Sequence, residues 1–332
     1  MDEIGQFARD ERTARMVLAL VSAPADVLTG RLVAAVGAVE TLRLSREDGA
    51  AGVLSEVEAE VWRGRLAPLP DPAAARSMLD QALAQGFGTV IPGDQHFPVG
   101  LQDLGDRVPL VLWTRGAPSF LSRPLSELVV VTGARASSAY GNYVAADFAA
   151  DLGNAERLIV AGGGYGVEAA AHQAVLSVGG STIAVLPCGL DRPYPAGHRD
   201  LLGNIGDVGL LVSELPPGTP PSRRWFQARN RIIAALAGAT VITEASSRSL
   251  AMLTAMYAHD LGRGVGIVPG PITSGTSVGS NELIKRGVGR VVTTAADVTN
   301  LLDHPTTATR RNLDRDLHQR ARPTRIPPEI TR

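Results

Sequence analysis

Apolar residues along this chain fall into two regimes, and the change comes near Phe87. Before it, Met16, Leu18, Leu20 and Val21, then Leu32, Val33, Val36 and Val39, recur at mixed helical spacing. Pro68, Pro70 and Pro72 interrupt that spacing, and 73–85 reads as one further helix. Residues 1–86 are expected to form a small helical domain. From Phe87 onward the pattern shortens into continuous apolar runs at 128–131, 158–160, 182–186, 210–212, 240–242, 265–268 and 291–292. Helical stretches separate them at about 143–152, 168–178, 226–237, 250–261 and 281–286. Strands without polar alternation, separated by helices, indicate a mostly parallel sheet covered on both faces. With right-handed crossovers this is an α/β, extended Rossmann-like, doubly wound domain over 87–303. Apolar periodicity ends after Leu302, so 304–332 is expected to be a disordered tail.

Composition narrows the picture. The 332 residues are 45% hydrophobic but only 4% aromatic, with 36 glycines, which suits a layered α/β core of small aliphatic side chains. The net charge of −1 excludes a global polycation, so any nucleic-acid contact must come from a local patch. The segment 305–332 is locally basic, with seven arginines against Asp314, Asp316 and Glu329. Such a tail either touches nucleic acid or is merely solvated. The single cysteine, Cys188, excludes an intramolecular disulfide framework and a cysteine-based zinc cluster. The N-terminus is polar and acidic, unlike a signal peptide, and the uncharged stretch 232–243 is too short to span a bilayer. A cytoplasmic protein with no membrane partner is expected.

In a doubly wound sheet, ligands sit where strands end at their carboxyl edge. After 128–131 comes Thr132-Gly133-Ala134-Arg135, then Ser137 and Ser138 before a helix beginning near Gly141. Small hydroxyls, a glycine and an arginine at a helix start suit a phosphate, although an ordinary strand-to-helix turn reads the same way. After 158–160 comes Gly162-Gly163-Gly164-Tyr165-Gly166, with four glycines in five residues. Their backbone N–H groups are open to a ligand, or the glycines serve close helix–sheet packing. The spacing matches neither a dinucleotide fingerprint nor a Walker A loop, so an ATPase is not expected and no cofactor is implied. His172 follows Glu168 by four residues, which places both on one helix face. No further ligand sits nearby, so a positioning hydrogen bond is favoured over a metal pair or an acid/base dyad.

The densest chemistry lies at 222–231, where Arg223, Arg224, Arg229 and Arg231 accompany Trp225 and Phe226. Guanidinium groups neutralise phosphates, and rings or arginine planes stack unpaired bases, a combination suited to single-stranded nucleic acid. Alternatively, these arginines pair with Glu214 and Glu244. Clustered cations at a helix start oppose the macrodipole, and an anionic partner would offset that cost.

Taken together, these segments resemble the DprA/Smf family of DNA-processing proteins. Thr132-Gly133-Ala134-Arg135 with Ser138, Tyr140 and Gly141 is similar to the family's G-S/T-R-x-x-S-x-Y-G, and Gly162 to His172 to its S-G-x-A-x-G-I-D-x-x-A-H. Gly179 to Leu186, Tyr194-Pro195, Ser213-Glu214 and Pro216-Pro217-Gly218 follow in the family's order. Phe226 with Arg229-Asn230-Arg231-Ile232-Ile233-Ala234 is similar to F-x-x-R-N-R-I-I-A, and Val268-Pro269-Gly270 and Asn281-Glu282-Leu283-Ile284 complete the series. The resemblance spans about 87–302. It implies a non-enzymatic, Rossmann-like homodimer that binds single-stranded DNA without sequence preference and hands it to the RecA recombinase in recombination and transformation, as competence proteins do. Carried onto matching positions, the DNA pocket would use Gly133, Arg135 and Ser138 on the first loop, Gly162, Gly163 and Gly166 on the second, and Arg229, Asn230 and Arg231, with Phe226 beside it.

The sequence departs from the family where S-G-S-L-I-T-A becomes Ser249-Leu250-Ala251-Met252-Leu253-Thr254-Ala255, which loses a glycine and a serine. The alternative is a nucleotide-binding enzyme of the LOG phosphoribohydrolase type, or a nucleotide sensor on the same fold, using the glycine-rich loop for a nucleotide phosphate. The P-G-G-x-G-T-x-x-E segment which that hydrolysis needs has no counterpart after Pro269-Gly270-Pro271.

Overall fold

The structure, a computed structural model, describes residues 7–303. The basic tail expected at 304–332 lies outside the described residues.

Helices α1 (Glu11–Val21), α2 (Val27–Leu44), α3 (Glu56–Arg63) and α4 (Pro72–Ala84) precede the sheet. Each begins where a short polar side chain satisfies a free backbone donor of the first turn. Asp10, Asp26, Ser55 and Asp71 accept from the amides of Thr13, Thr29, Glu58 and Ala74. Leu32, Leu44, Leu54, Ala59 and Trp62 form an apolar cluster of their own, whereas Leu79 and Ala82 of α4 pack with Phe87 and Trp113 into the sheet's core. The helices are tied to the sheet by Arg12, which pairs with Asp94 at 2.6 Å. Gly30 lets α2 approach closely, since a Cβ there would stand 1.8 Å from the Asp106 carbonyl oxygen.

The sheet contains β1 (Gly88–Val90), β2 (Leu112–Gly116), β3 (Leu128–Thr132), β4 (Leu158–Ala161), β5 (Thr182–Val185), β6 (Leu210–Ser213), β7 (Ala239–Ile242), β8 (Gly264–Ile267) and β9 (Arg290–Val291). Its order is β1-β2-β6-β5-β4-β3-β7-β8-β9, parallel from β6 to β9, with β1 and β2 antiparallel at one edge. Helices α5 (Ala139–Asn154), α6 (Val167–Ser177), α7 (Arg199–Val208), α8 (Arg223–Leu236), α9 (Ala251–Asp260), α10 (Val278–Lys285) and α11 (Ala295–Asp303) connect or flank the strands.

This is the mostly parallel, Rossmann-like α/β architecture that the apolar runs indicate, and its packing shows why those runs lack polar alternation. Val130, Val160, Val185 and Val212 face one apolar layer with Ile232, Ile233 and Leu236 of α8. Val129, Val131 and Ile159 face the opposite layer, against Phe148 of α5 and Val167 and Val175 of α6. Successive residues of a strand therefore both meet protein. The β1–β2 pair and helices α7 and α11 are additions to the expected elements. Gly203 and Gly206 lower the helix propensity of α7, which nevertheless buries Leu202 and Ile205 on one face. No helix among the described residues is long and apolar enough to cross a membrane.

Candidate nucleic-acid interface

Strand order reverses between β3 and β7, so the chain leaves these neighbours toward opposite sides and opens a crevice at their carboxyl ends. A cleft of about 300 Å³ lies there. Residues 132–136 after β3 form one wall, Arg229 and Asn230 of α8 another, and Ser246, Arg248, Ser249 and Leu250 after β7 a third. Of the residues singled out in the sequence, Gly133, Arg135, Arg229 and Asn230 meet in this cleft.

Arg229 is 6% exposed. Its Nη1 donates to the Val185 carbonyl at 2.6 Å, while Nε has no hydrogen-bond partner. Gly162 makes room for it, because a Cβ there would lie 1.8 Å from Nη1. Burial works against the Arg229 cation, Glu168 supports it and Arg135 repels it, and the balance lowers its pKa. Glu168 sits in the cleft wall, accepting from the Thr132 hydroxyl at 2.9 Å and the Gly164 amide at 2.8 Å. Burial favours its neutral form, but the Arg229 charge and these two donors outweigh it and hold the carboxyl below its usual range. The floor is thus a buried Arg229–Glu168 couple. Exposed Arg135 and Arg248, neither ion-paired among the described residues, add positive charge at the mouth. Asn230 is held by its Nδ2, which donates to the Leu250 carbonyl at 3.1 Å. Phe226 packs beside the cleft, its ring 4.0 Å from the Arg135 guanidinium carbon and 5.7 Å from that of Arg229.

Five candidate residues are placed elsewhere. Gly162, Gly163 and Gly166 lie behind the cleft and serve packing. Gly166 has φ +73° and lies against the Ala134 and Arg135 carbonyl oxygens, each 2.5 Å from a notional Cβ. Ser138 caps α5, but the phosphate seat expected at that helix start is filled from within the protein. The Ser138 amide donates to Glu244 at 2.7 Å and its hydroxyl at 2.8 Å, and Thr276 donates to the same carboxylate at 2.6 Å. Glu244 therefore takes the place an anion would occupy at the α5 N-terminus. Arg231 points away from the cleft and is 1% exposed. It donates to both Glu214 oxygens, at 2.5 and 2.8 Å, and to the Arg107 carbonyl at 3.0 Å. Pairing with Glu214, the alternative reading of the arginine cluster, thus holds for Arg231, whereas Glu244 engages hydroxyls and an amide.

His172 makes a positioning contact. Its Nδ1 lies 2.8 Å from the Thr182 hydroxyl, which itself donates to the Ile159 carbonyl, so Nδ1 carries the ring proton. Burial pushes the imidazole pKa down to about 4 against the raising effect of Glu168, and the ring is neutral at pH 7. Arg248 was not among the sequence candidates. Its signal is positional, in the loop that follows β7 at the switch point.

A family profile described as DNA recombination-mediator protein A matches residues 88–303. A Mycobacterium tuberculosis DprA homologue is 40% identical over 267 residues, covering 75% of this chain and 68% of its own length. The Streptococcus pneumoniae DNA processing protein DprA is 38% identical over 205 residues, covering 62% of this chain and 71% of its own. The X-ray structure of DprA from S. pneumoniae superposes with TM-score 0.69 at 28% identity, covering 87% of this chain and 96% of that one. DNA processing protein A from Helicobacter pylori, whose structure is described for its single-stranded DNA binding mode, superposes with TM-score 0.58 at 28% identity, covering 65% of this chain and 95% of that one.

Proposed function

This chain belongs to the DNA recombination-mediator protein A family, and from that premise we propose that it binds single-stranded DNA without sequence preference and mediates its transfer to a recombinase of the RecA type. The observation that carries this reading is the cleft itself. A buried guanidinium with an unpartnered Nε lies at its floor, and Arg135 and Arg248 at its mouth have no ion partner among the described residues. Burying a cation is costly unless an opposite charge answers it. Glu168 answers the buried Arg229, and a run of phosphates complements the exposed Arg135 and Arg248.

The lining favours a strand over a free mononucleotide. The helix N-terminus that would fix a terminal phosphate is occupied by Glu244. What remains is an open cationic cleft bordered by a ring–guanidinium stack, which reads backbone charge and base faces and carries no pattern for a particular base. No catalytic role is assigned to any residue. A homodimer acting in DNA uptake and recombination, in a cytoplasmic setting, completes the proposal.

Fluorescence anisotropy of a labelled oligo-dT, competed with duplex DNA, mixed-sequence single strands and AMP, tests it. Competition by mixed single strands at concentrations equal to unlabelled oligo-dT, with little from duplex or AMP, is the expected result. Displacement by AMP at similar concentrations would turn the reading to a nucleotide pocket.

A further inference from the structure

The carboxyl edge of the sheet carries aromatic rings beyond the cleft that the proposed function leaves unused. Tyr194 is 39% exposed and Tyr165 is 48% exposed, yet both rings are held. Tyr194 meets Phe226 edge-on, with centroids 5.8 Å apart at 75°, and Phe226 carries the Arg135 guanidinium 4.0 Å from its own centroid. Tyr165 meets His198 edge-on at 4.4 Å, and His198 is pinned by its Nδ1 against the Gly163 carbonyl at 2.9 Å. The Tyr165 hydroxyl lies along Gly197, where a Cβ would stand 2.6 Å from it. Tyr165 belongs to the loop after β4, whose Gly166 abuts the carbonyls of Ala134 and Arg135, and Tyr194 belongs to the segment after β5. From the cleft, the groups therefore follow one another as Arg229, Arg135, Phe226 and Tyr194, while Tyr165, braced by His198, stands on the loop that abuts the Arg135 loop.

Exposed aromatic side chains scattered singly are ordinary on protein surfaces. Braced rings continuing a guanidinium stack away from a cationic cleft are different. Each contributes apolar area at little cost in side-chain freedom, and each accepts any nucleobase, because every base has a π-face. We infer that Tyr194 and Tyr165 form a stacking track for the nucleotides that flank those held in the cleft, a subsite for unpaired bases that rests on the single-strand reading above. A duplex, whose bases are already stacked on one another, gains nothing from it.

The test compares the double variants Tyr165→Ala/Tyr194→Ala and Tyr165→Phe/Tyr194→Phe on oligo-dT and on a base-free strand of the same length. The alanine pair is expected to bind oligo-dT about tenfold or more weakly, with an unchanged salt dependence because no phosphate contact is lost. The phenylalanine pair should bind as the unaltered protein does, and neither pair should change binding to the base-free strand. In the unaltered protein, strands carrying 5-iododeoxyuridine should photo-crosslink to Tyr165 and Tyr194. Adducts confined to the cleft, or an equal loss on both strands, would overturn the track. So would full affinity in the alanine pair while Arg135→Ala still weakens binding, and that result leaves the cleft standing. Failure of the unaltered protein to bind oligo-dT would remove the single-strand reading as well.

Discussion

His172 illustrates how burial fixes a residue's role. Its ring is fully enclosed, its Nδ1 is committed to Thr182, and its pKa falls from 6.5 to about 4 because the interior penalises the imidazolium. The unfolded chain takes up a proton near pH 6.5 that the folded ring refuses until about pH 4, so protonation favours unfolding across that window. Stability supplied by the neutral ring is complete above the unfolded value and declines as pH drops toward the folded one. The depressed Glu168 carboxyl acts lower on the scale, its contribution being present above the ordinary carboxylate range and lost as pH falls through its folded value. Urea midpoints should therefore fall between pH 6.5 and 4, and His172→Gln, which keeps a donor for Thr182, should flatten that fall. An identical pH profile in the variant would contradict the assignment. The spacing of Glu168 and His172 placed them on one helix face but left the hydrogen-bond partner open, because Thr182 arrives from β5, the next strand along the chain.

Helix α8 does two jobs on two faces. Residues two apart on a helix stand about 200° around the axis from each other, so Arg229 and Arg231 point in opposite directions. Arg229 enters the cleft, while Arg231 is locked by both Glu214 oxygens and the Arg107 carbonyl. Removing one member of a buried ion pair strands the other charge, so Arg231→Ala is expected to destabilise the fold by about 3–5 kcal/mol. The check is chemical denaturation. A midpoint near that of the unaltered protein, with DNA binding lost, would return Arg231 to the binding site. The parallel strands β3 to β8 were legible because each is buried on both faces, and their carboxyl edge followed from topology. The β1–β2 pair was less legible, because β1 is a three-residue edge strand and β2 carries the polar Thr114 and Arg115. The glycine-rich loop was legible along the chain, but composition alone did not reveal that its glycines admit Arg229 and the Arg135 loop. Arg248 had no motif to mark it and became visible only once β7 was placed beside β3.

At the scale of the molecule, charge is local. The chain carries −1 overall, yet Arg135, Arg229 and Arg248 converge at one edge of the sheet. The helices before Phe87 add a core of their own and dock through Arg12 and the close approach at Gly30. A division at 86/87 is proposed on that basis, with α4 sharing the core of the sheet. Arg135 and Arg248 are exposed and carry no ion pair among the described residues, so the double variant Arg135→Ala/Arg248→Ala should fold normally and isolate the electrostatic contribution. Each phosphate contact on a single strand contributes about 0.7 to the slope of log affinity against log salt concentration. The most direct measurement is therefore the affinity for oligo-dT across a salt series, in the unaltered protein and in this double variant. The expected result is weaker binding and a slope shallower by about 1.4 in the variant. Equal affinity and an equal slope in the two proteins would contradict it.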